Sequence, residues 1–241
     1  MTLEETRQLG IEFERRVQTM IPETEIVSKL DTETIYSYLN QYQDKFIHEI
    51  YKALDNIPTP SKPSAYVERI IQGLLTSYDK DDIQPSNGEF TVNLPGDFGL
   101  YVESRTVVSD SYSYKSNEPA NGNIPNVLVS KTEASALITR PQDKMRIMRS
   151  PVAYLDTENT IKVLYDNYTV PTKFSMSYYK IPKYMDLLTS TPCELHPDAF
   201  DDIVTGAVDL YVQYVAGAEA RKRQMNEQQQ QRNKENRNDR G

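Results

Sequence analysis

The strongest constraint on the fold is a long amphipathic segment that begins near residue 197. Pro197 suits the first helical position, where its missing N–H costs nothing, and His196 before it is placed to cap the helix. Asp198, Asp201 and Asp202 favour the positive end of the helix dipole. The pattern predicts one helix to residue 223, about 40 Å long at 1.5 Å per residue, so its far end should protrude. Its apolar stripe consists of Phe200, Ile203, Val204, Ala207, Val208, Tyr211, Tyr214, Val215 and Ala218.

Three more helices are predicted in the first third of the chain. Thr2 and Glu5 have the spacing of a capping box, which predicts a helix to about Met20. The apolar stripe of this helix is narrow, which favours a docking face over a core face. Apolar residues at spacings of three and four predict further helices over residues 32–54 and 64–75. The narrow stripe consists of Leu3, Leu9, Phe13, Val17 and Met20.

The middle of the chain has the alternating pattern of β-strands. Phe90, Val92 and Leu94 alternate with polar residues, the period of a half-buried strand. Residues 109–126 are rich in Ser, Asn and Pro and are predicted to be a loop, in which Tyr112 and Tyr114 could make contacts. The pattern predicts a small antiparallel β domain of about five strands, with a short helix over 132–138. The strands are expected at 90–94, 100–108, 147–155, 160–165 and 172–180.

The predicted fold class is therefore α+β: N-terminal helices, a small antiparallel β domain, and a long C-terminal helix with a polar tail. The corresponding regions are residues 1–80, residues 81–190, and residues 191–241 with the basic low-complexity tail. Of the aromatic residues, 17 are Tyr. Tyrosine suits both a β core and a surface that is buried on assembly, and the sequence does not separate the two.

Charge is distributed unevenly along the chain. The chain has 27 basic and 35 acidic residues, but residues 221–241 hold 7 basic and 3 acidic ones. An acidic body argues against wrapping duplex DNA with the main domain. The basic tail is suited to contact an acidic partner or a nucleic acid.

The sequence offers no constellation of residues typical of an enzyme, a metal site or a cofactor site. The single cysteine, Cys193, excludes an internal disulfide and lacks the neighbours of a nucleophile. Asp97-Phe98-Gly99 is interpreted as a turn, and the acidic run over residues 79–82 as a solvated loop. No stretch reaches the roughly 18–20 apolar residues of a membrane span. The acidic N-terminus does not resemble a signal peptide, so the expected location is the cytoplasm.

Two stretches resemble a known class of virion proteins. Residues 35–46 resemble the LN-x-x-Q helix of neck proteins in crAss-like and related short-tailed phages, with Leu39, Asn40 and Gln43 at the motif positions. The second stretch runs from Tyr178 through residues 193–197 to residues 201–208. Its strand end, its Glu-Leu step and its I-V-x-x-A-V helix are similar to head-to-tail connector proteins of the adaptor, tail-tubular or gatekeeper type. Together these short motifs cover about a third of the chain.

The resemblance implies a dodecameric ring of this chain in the virion neck, beneath the portal protein. The next tail ring protein would face the β part, and genomic DNA would pass through the channel without specific binding. The inserted β region departs from simpler adaptors, which are mostly helical. The implied portal-binding residues are Arg221, Lys222, Arg223, Arg232, Lys234 and Arg237. The implied subunit-packing residues are Phe200, Ile203, Val204, Ala207, Val208, Tyr211 and Tyr214.

Three alternatives stay open at the level of sequence. The chain could be another neck or tail structural protein. It could be a nucleic-acid-binding module that uses the basic tail, which predicts steeply salt-dependent binding. It could also be a tail-associated enzyme acting on host glycan or peptidoglycan, which predicts turnover that one carboxylate substitution abolishes.

Overall fold

A computed structural model describes residues 1–20, 30–55, 64–110, 122–139, 151–165 and 169–217. Over these residues the chain has an α+β fold with N-terminal helices and a C-terminal helix, as predicted. It divides into a helical unit, Met1–Gly73 with Pro182–Gly241, and a β unit, Leu74–Ile181. The first and last regions of the sequence therefore share one unit for most of their length. The five described helices are α1 (Leu3–Met20), α2 (Thr32–Asp55), α3 (Ala65–Ile71), α4 (Lys131–Thr139) and α5 (residues 200–217).

The ends of the helices follow the predicted caps. The Thr2 N–H donates to Glu5 Oε2 at 2.6 Å, and the Glu5 N–H donates to Thr2 Oγ1 at 3.2 Å, which confirms the capping box. His196 Nδ1 accepts from the Asp198 N–H at 3.2 Å, and Pro197 occupies the first position. The chain makes one 3-10 turn there, Pro197–Ala199, before α5 continues as an α-helix.

The prediction that α1 presents a docking face is wrong. Leu9, Phe13 and Val17 are completely buried, and so is the small Thr6 beside them. Burial extends to Gly10, where an added Cβ would lie 3.1 Å from the Tyr36 hydroxyl oxygen. The Tyr36 hydroxyl donates to the Thr6 carbonyl at 2.8 Å. Small residues thus widen the apolar stripe and let α2 approach closely, so this face belongs to the core.

Two four-stranded sheets form the β unit. Their orders are β1-β8-β3-β4 and β2-β7-β6-β5, and each described pair is antiparallel except β5 with β6. One hydrophobic core includes Phe90, Val92, Ile161, Val163, Phe174, Met176 and Tyr178. The strands are β1 (Leu75–Lys80), β2 (Glu89–Asn93), β3 (Phe98–Asp110), β4 (Gly122–Pro125), β5 (Val127–Leu128), β6 (Val152–Thr157), β7 (Thr160–Leu164) and β8 (Thr169–Lys180).

The sheets contain more strands than the predicted five. β1 lies where a helix end and an acidic loop were expected, and β4 lies within the predicted loop over 109–126. Each is added by pairing with a partner distant in sequence: β1 pairs with β8 from Leu75↔Tyr179 to Lys80↔Phe174. Short polar strands of this kind carry little periodic signal of their own.

The interpretation of Asp97-Phe98-Gly99 as a turn holds only for Asp97, because the turn comes at residues 96–97 and Phe98 and Gly99 already belong to β3. The Phe98 N–H donates to the Pro95 carbonyl at 3.1 Å, and Asp97 Oδ1 accepts from the Tyr178 hydroxyl at 2.8 Å. The Asp97 side chain therefore links β8 to the turn. Desolvation, together with this hydrogen bond to a carboxylate, raises the pKa of Tyr178 to about 12.

Candidate assembly surface

The segment that precedes α5, residues 182–196, is clamped to α2. Asn40 Oδ1 accepts from the Met185 N–H at 2.8 Å, and Asn40 Nδ2 donates to the Met185 carbonyl at 3.0 Å. One helical turn later, Gln43 Nε2 donates to the Lys183 carbonyl at 3.2 Å. Two side-chain amides on one face of α2 therefore satisfy backbone groups that have left regular structure.

The same glutamine also contacts the cysteine of the segment. The Cys193 thiol donates to Gln43 Oε1 at 3.4 Å, and the Cys193 N–H donates to Thr6 Oγ1 at 2.9 Å. Gln43, Thr6 and Cys193 are all completely buried. Burial raises the pKa of Cys193 to about 11, so the thiol stays protonated at neutral pH and is a structural group.

The two stretches that carry the family resemblance meet at this clamp. Asn40 and Gln43 come from the first stretch, and Cys193 and Glu194 come from the second. Glu194 Oε2 accepts from the Lys183 N–H at 3.0 Å, which ties the second stretch to the start of its own segment. Leu39 and Leu195 of the two motifs are completely buried. Residues about 150 positions apart in sequence thus form one packed structure.

A tight loop projects from the clamped segment, and we call it the leucine loop (Asp186–Thr191). Its two ends pair through backbone bonds, with Asp186 N–H to Thr191 O at 3.0 Å and Thr191 N–H to Asp186 O at 2.7 Å. The Asp186 carboxylate accepts from the Leu188 N–H at 2.8 Å and from the Thr189 hydroxyl at 3.0 Å. Ser190 adopts a φ of 57° to complete the turn. These bonds fix the loop in one shape.

The leucine loop presents an apolar side chain to solvent. Leu188 is 97% exposed, although the Leu188 N–H is held by Asp186. Nearby, Tyr184 is 62% exposed, and its hydroxyl donates to Asp44 Oδ2 at 2.8 Å, which raises the pKa of Tyr184. The Leu188 side chain therefore adds almost nothing to the packing of its own unit.

Most of the predicted subunit-packing residues are covered by the chain itself. Ile203, Val204, Ala207 and Val208 are completely buried, and Phe200 is partly buried. Tyr211 is 4% exposed and packs edge-on against Phe13 and Tyr38, with ring centroids 5.9 and 5.3 Å away. Tyr214, in contrast, is 66% exposed. The predicted portal-binding residues, together with Tyr112 and Tyr114, lie outside the described residues.

The acidic residues at the start of α5 form hydrogen bonds and ion pairs with side chains of α1 and α3. Arg16 donates to Asp201 Oδ1 at 2.6 Å and to Thr205 Oγ1 at 2.6 Å, and these bonds join α1 to α5. Arg69 on α3 donates to Asp198 Oδ2 at 2.8 Å. The Tyr66 hydroxyl donates to Asp202, which raises the pKa of Tyr66 to about 12. These carboxylates orient α5 against its neighbours.

A shallow recess lies on the face of the first sheet. Its lining includes the small side chains Ser77, Ser175 and Ser177 together with Glu103 and Arg105. Its volume is about 170 Å³, below the roughly 300–1,000 Å³ of pockets that bind small molecules.

Neither metal-binding clusters nor membrane-spanning helices occur in the part of the chain that the structure describes. No group of three or more His, Cys, Asp or Glu residues there could hold a metal ion. No described helix is both long enough and apolar enough to cross a bilayer. No known protein family and no curated protein matches the sequence.

Proposed function

We propose that this chain is a non-enzymatic structural subunit of a phage particle, which forms a ring in the neck that joins the portal to the tail. The observation that carries the proposal is the clamp on α2. Short motifs scattered along a chain can match a family by chance. Here Asn40 and Gln43 of one motif bind residues Lys183, Met185 and Cys193 beside the other, at 2.8–3.4 Å. This contact between the two stretches supports the proposal.

The charge of the helical unit supports a place around the DNA channel. Its described residues carry 16 acidic and 7 basic side chains. An anionic wall does not hold phosphates, so a genome could pass a ring of such subunits without being bound. The predicted virion location and the portal-binding role of the basic tail belong to this proposal.

The buried thiol of Cys193 and the carboxylates of Asp198, Asp201 and Asp202 have structural roles. The Cys193 thiol is held protonated, and the three carboxylates are bound to α1 and α3.

Antibody labelling of intact virions tests the proposal. An antibody against the chain should label the junction of head and tail in electron micrographs, and particles lacking the chain should retain filled or leaking heads without tails. Label confined to the capsid shell or to the distal tip of the tail would contradict a role in the neck.

A further inference from the structure

A two-residue turn of Asn87 and Gly88 leads the chain into β2. Asn87 has a φ of 52° and Gly88 a φ of 81°, the pair of positive values that an Asn-Gly turn of type I′ requires. Two backbone bonds close the turn, from the Ser86 N–H to the Glu89 carbonyl at 2.9 Å and from the Glu89 N–H to the Ser86 carbonyl at 3.0 Å. The Gly88 carbonyl also accepts from the Tyr165 N–H at 2.9 Å, which fixes the turn beside the end of β7.

This turn combines the features that let an asparagine lose its amide nitrogen without an enzyme. Asn87 is exposed to water, and the next residue has no side chain to hinder its backbone nitrogen. The turn between β6 and β7 offers a comparison, because Asn159 there is exposed as well but is followed by the β-branched Thr160. Of these two exposed asparagines, only Asn87 therefore has an unhindered nitrogen beside it.

We infer that Asn87 is a site of spontaneous deamidation, with water as the co-reactant. The Gly88 backbone nitrogen loses its proton and attacks Cγ of Asn87, the Cγ–Nδ2 bond breaks, and ammonia leaves a cyclic succinimide. Water then opens the ring at either carbonyl carbon and gives aspartate or isoaspartate. Closing the ring rotates the backbone at Asn87 out of the turn, so the folded turn slows the reaction and its opening controls the rate. The inference does not depend on the proposed function.

The products of this reaction alter one edge of the β unit. Either product adds a negative charge next to Glu89, whose carboxylate lies 4.0 Å from Lys162 Nζ. Isoaspartate also adds a methylene group to the main chain of a turn that is built for two residues. β2 lies at the edge of its sheet, and it carries Phe90 and Val92 into the core, each 2% exposed. Deamidation of Asn87 should therefore loosen β2 and lower the stability of the β unit as the protein ages.

Peptide mass spectrometry of the full chain, aged in warm and mildly alkaline buffer, tests the site. The peptide that contains Asn87 should gain the mass of an amide-to-acid exchange and separate into two products, whereas the peptide that contains Asn159 should keep its amide. In guanidinium chloride the reaction at Asn87 should run about 10-fold faster or more, because two hydrogen bonds no longer close the turn. An intact Asn87 after ageing in denaturant, or equal loss at Asn159, would overturn the site. Equal rates at Asn87 with and without denaturant would overturn the control by the turn.

Asn87→Gly is the matched control for the structural effect, because glycine adopts the positive φ of the turn and has no amide to lose. The β unit of the aged wild-type chain should unfold at a lower concentration of denaturant than that of the fresh chain. Ageing should leave the unfolding midpoint of Asn87→Gly unchanged. An isoaspartate fraction that is as stable as the fresh chain would overturn the effect on β2.

Discussion

At the scale of single residues, Gly206 is the most restricted of the described glycines in the helical unit. A Cβ built there would lie 1.9 Å from the ring of Tyr42, so any larger residue has to displace that ring from the contact between α5 and α2. Gly206→Ala should lower the free energy of unfolding by about 1–3 kcal/mol, the usual cost of overpacking. Denaturant unfolding measures the change.

Gly217 provides the control for this substitution. It lies on the same helix, with no heavy atom within 4 Å of the position of an added Cβ. Gly217→Ala should leave stability unchanged or raise it by up to about 1 kcal/mol, because alanine is the better helix former. Equal effects of the two substitutions would mean that α5 does not pack on Tyr42 as described.

Asn40 is the residue on which the clamp depends most. Asn40→Ala would leave the Met185 N–H and carbonyl without the partners that they have at 2.8 and 3.0 Å. The expected cost is about 1–3 kcal/mol of unfolding free energy, since unsatisfied polar groups carry a desolvation penalty. In the control Gln41→Ala, the lost bond is an exposed one to Ser37 Oγ, and the change should stay within about 0.5 kcal/mol. A cost for Asn40→Ala as small as that of the control would contradict the clamp.

At the scale of elements, the leucine loop should depend on the ionisation of Asp186. Hydrogen bonds from Leu188 and Thr189 hold the pKa of Asp186 below its ordinary value of 3.8. A carboxyl whose pKa is lowered by folding stabilises the folded loop above the ordinary value. That contribution is lost as the pH falls through the lowered value. The loop should therefore keep its shape at neutral pH and loosen only in strong acid.

NMR of the Leu188 amide measures this transition. The amide resonance should shift with a midpoint below pH 3.8, and Asp186→Asn should remove the titration. A midpoint above that value would mean that the carboxylate does not accept the Leu188 bond.

Local signals in the sequence predicted the helices and their caps, because a cap and a helical stripe depend on residues within a few positions. The features that the sequence did not predict depend on contacts between residues far apart in the chain. Leu75–Lys80 becomes a strand because it meets β8, and the α1 face is core because Thr6 and Gly10 admit Tyr36. The leucine loop was also missed, although Asp186 followed by Leu188 and Thr189 is an Asx-type turn signal.

The tyrosines also illustrate what cannot be predicted from the sequence. The count of tyrosines fits a core and an assembly surface equally well, and the structure contains both buried and exposed tyrosines. Tyr36, Tyr178 and Tyr211 are at most 6% exposed, whereas Tyr184 and Tyr214 are more than 60% exposed. Composition cannot separate these groups, because burial depends on which helix or strand covers each ring.

At the scale of the whole molecule, the proposed function assigns contact with the portal to the basic tail and not to the acidic body. Substituting glutamine at the six predicted portal-binding positions should weaken portal binding and flatten its dependence on salt, because screening acts only on charges that take part. Pull-down of the portal at low and high salt measures both effects. Unchanged binding would remove the role assigned to the tail. The substituted residues are Arg221, Lys222, Arg223, Arg232, Lys234 and Arg237.

Assembly into a ring is the central claim, and the mass of the particle in solution tests it most directly. Mass photometry of the purified full chain, alone and with the portal protein that the proposed function requires, counts the copies in each complex. The account predicts a closed ring of a single size, formed alone or on the portal. A chain that stays at its monomer mass of 27.7 kDa at every concentration and ignores the portal would contradict it.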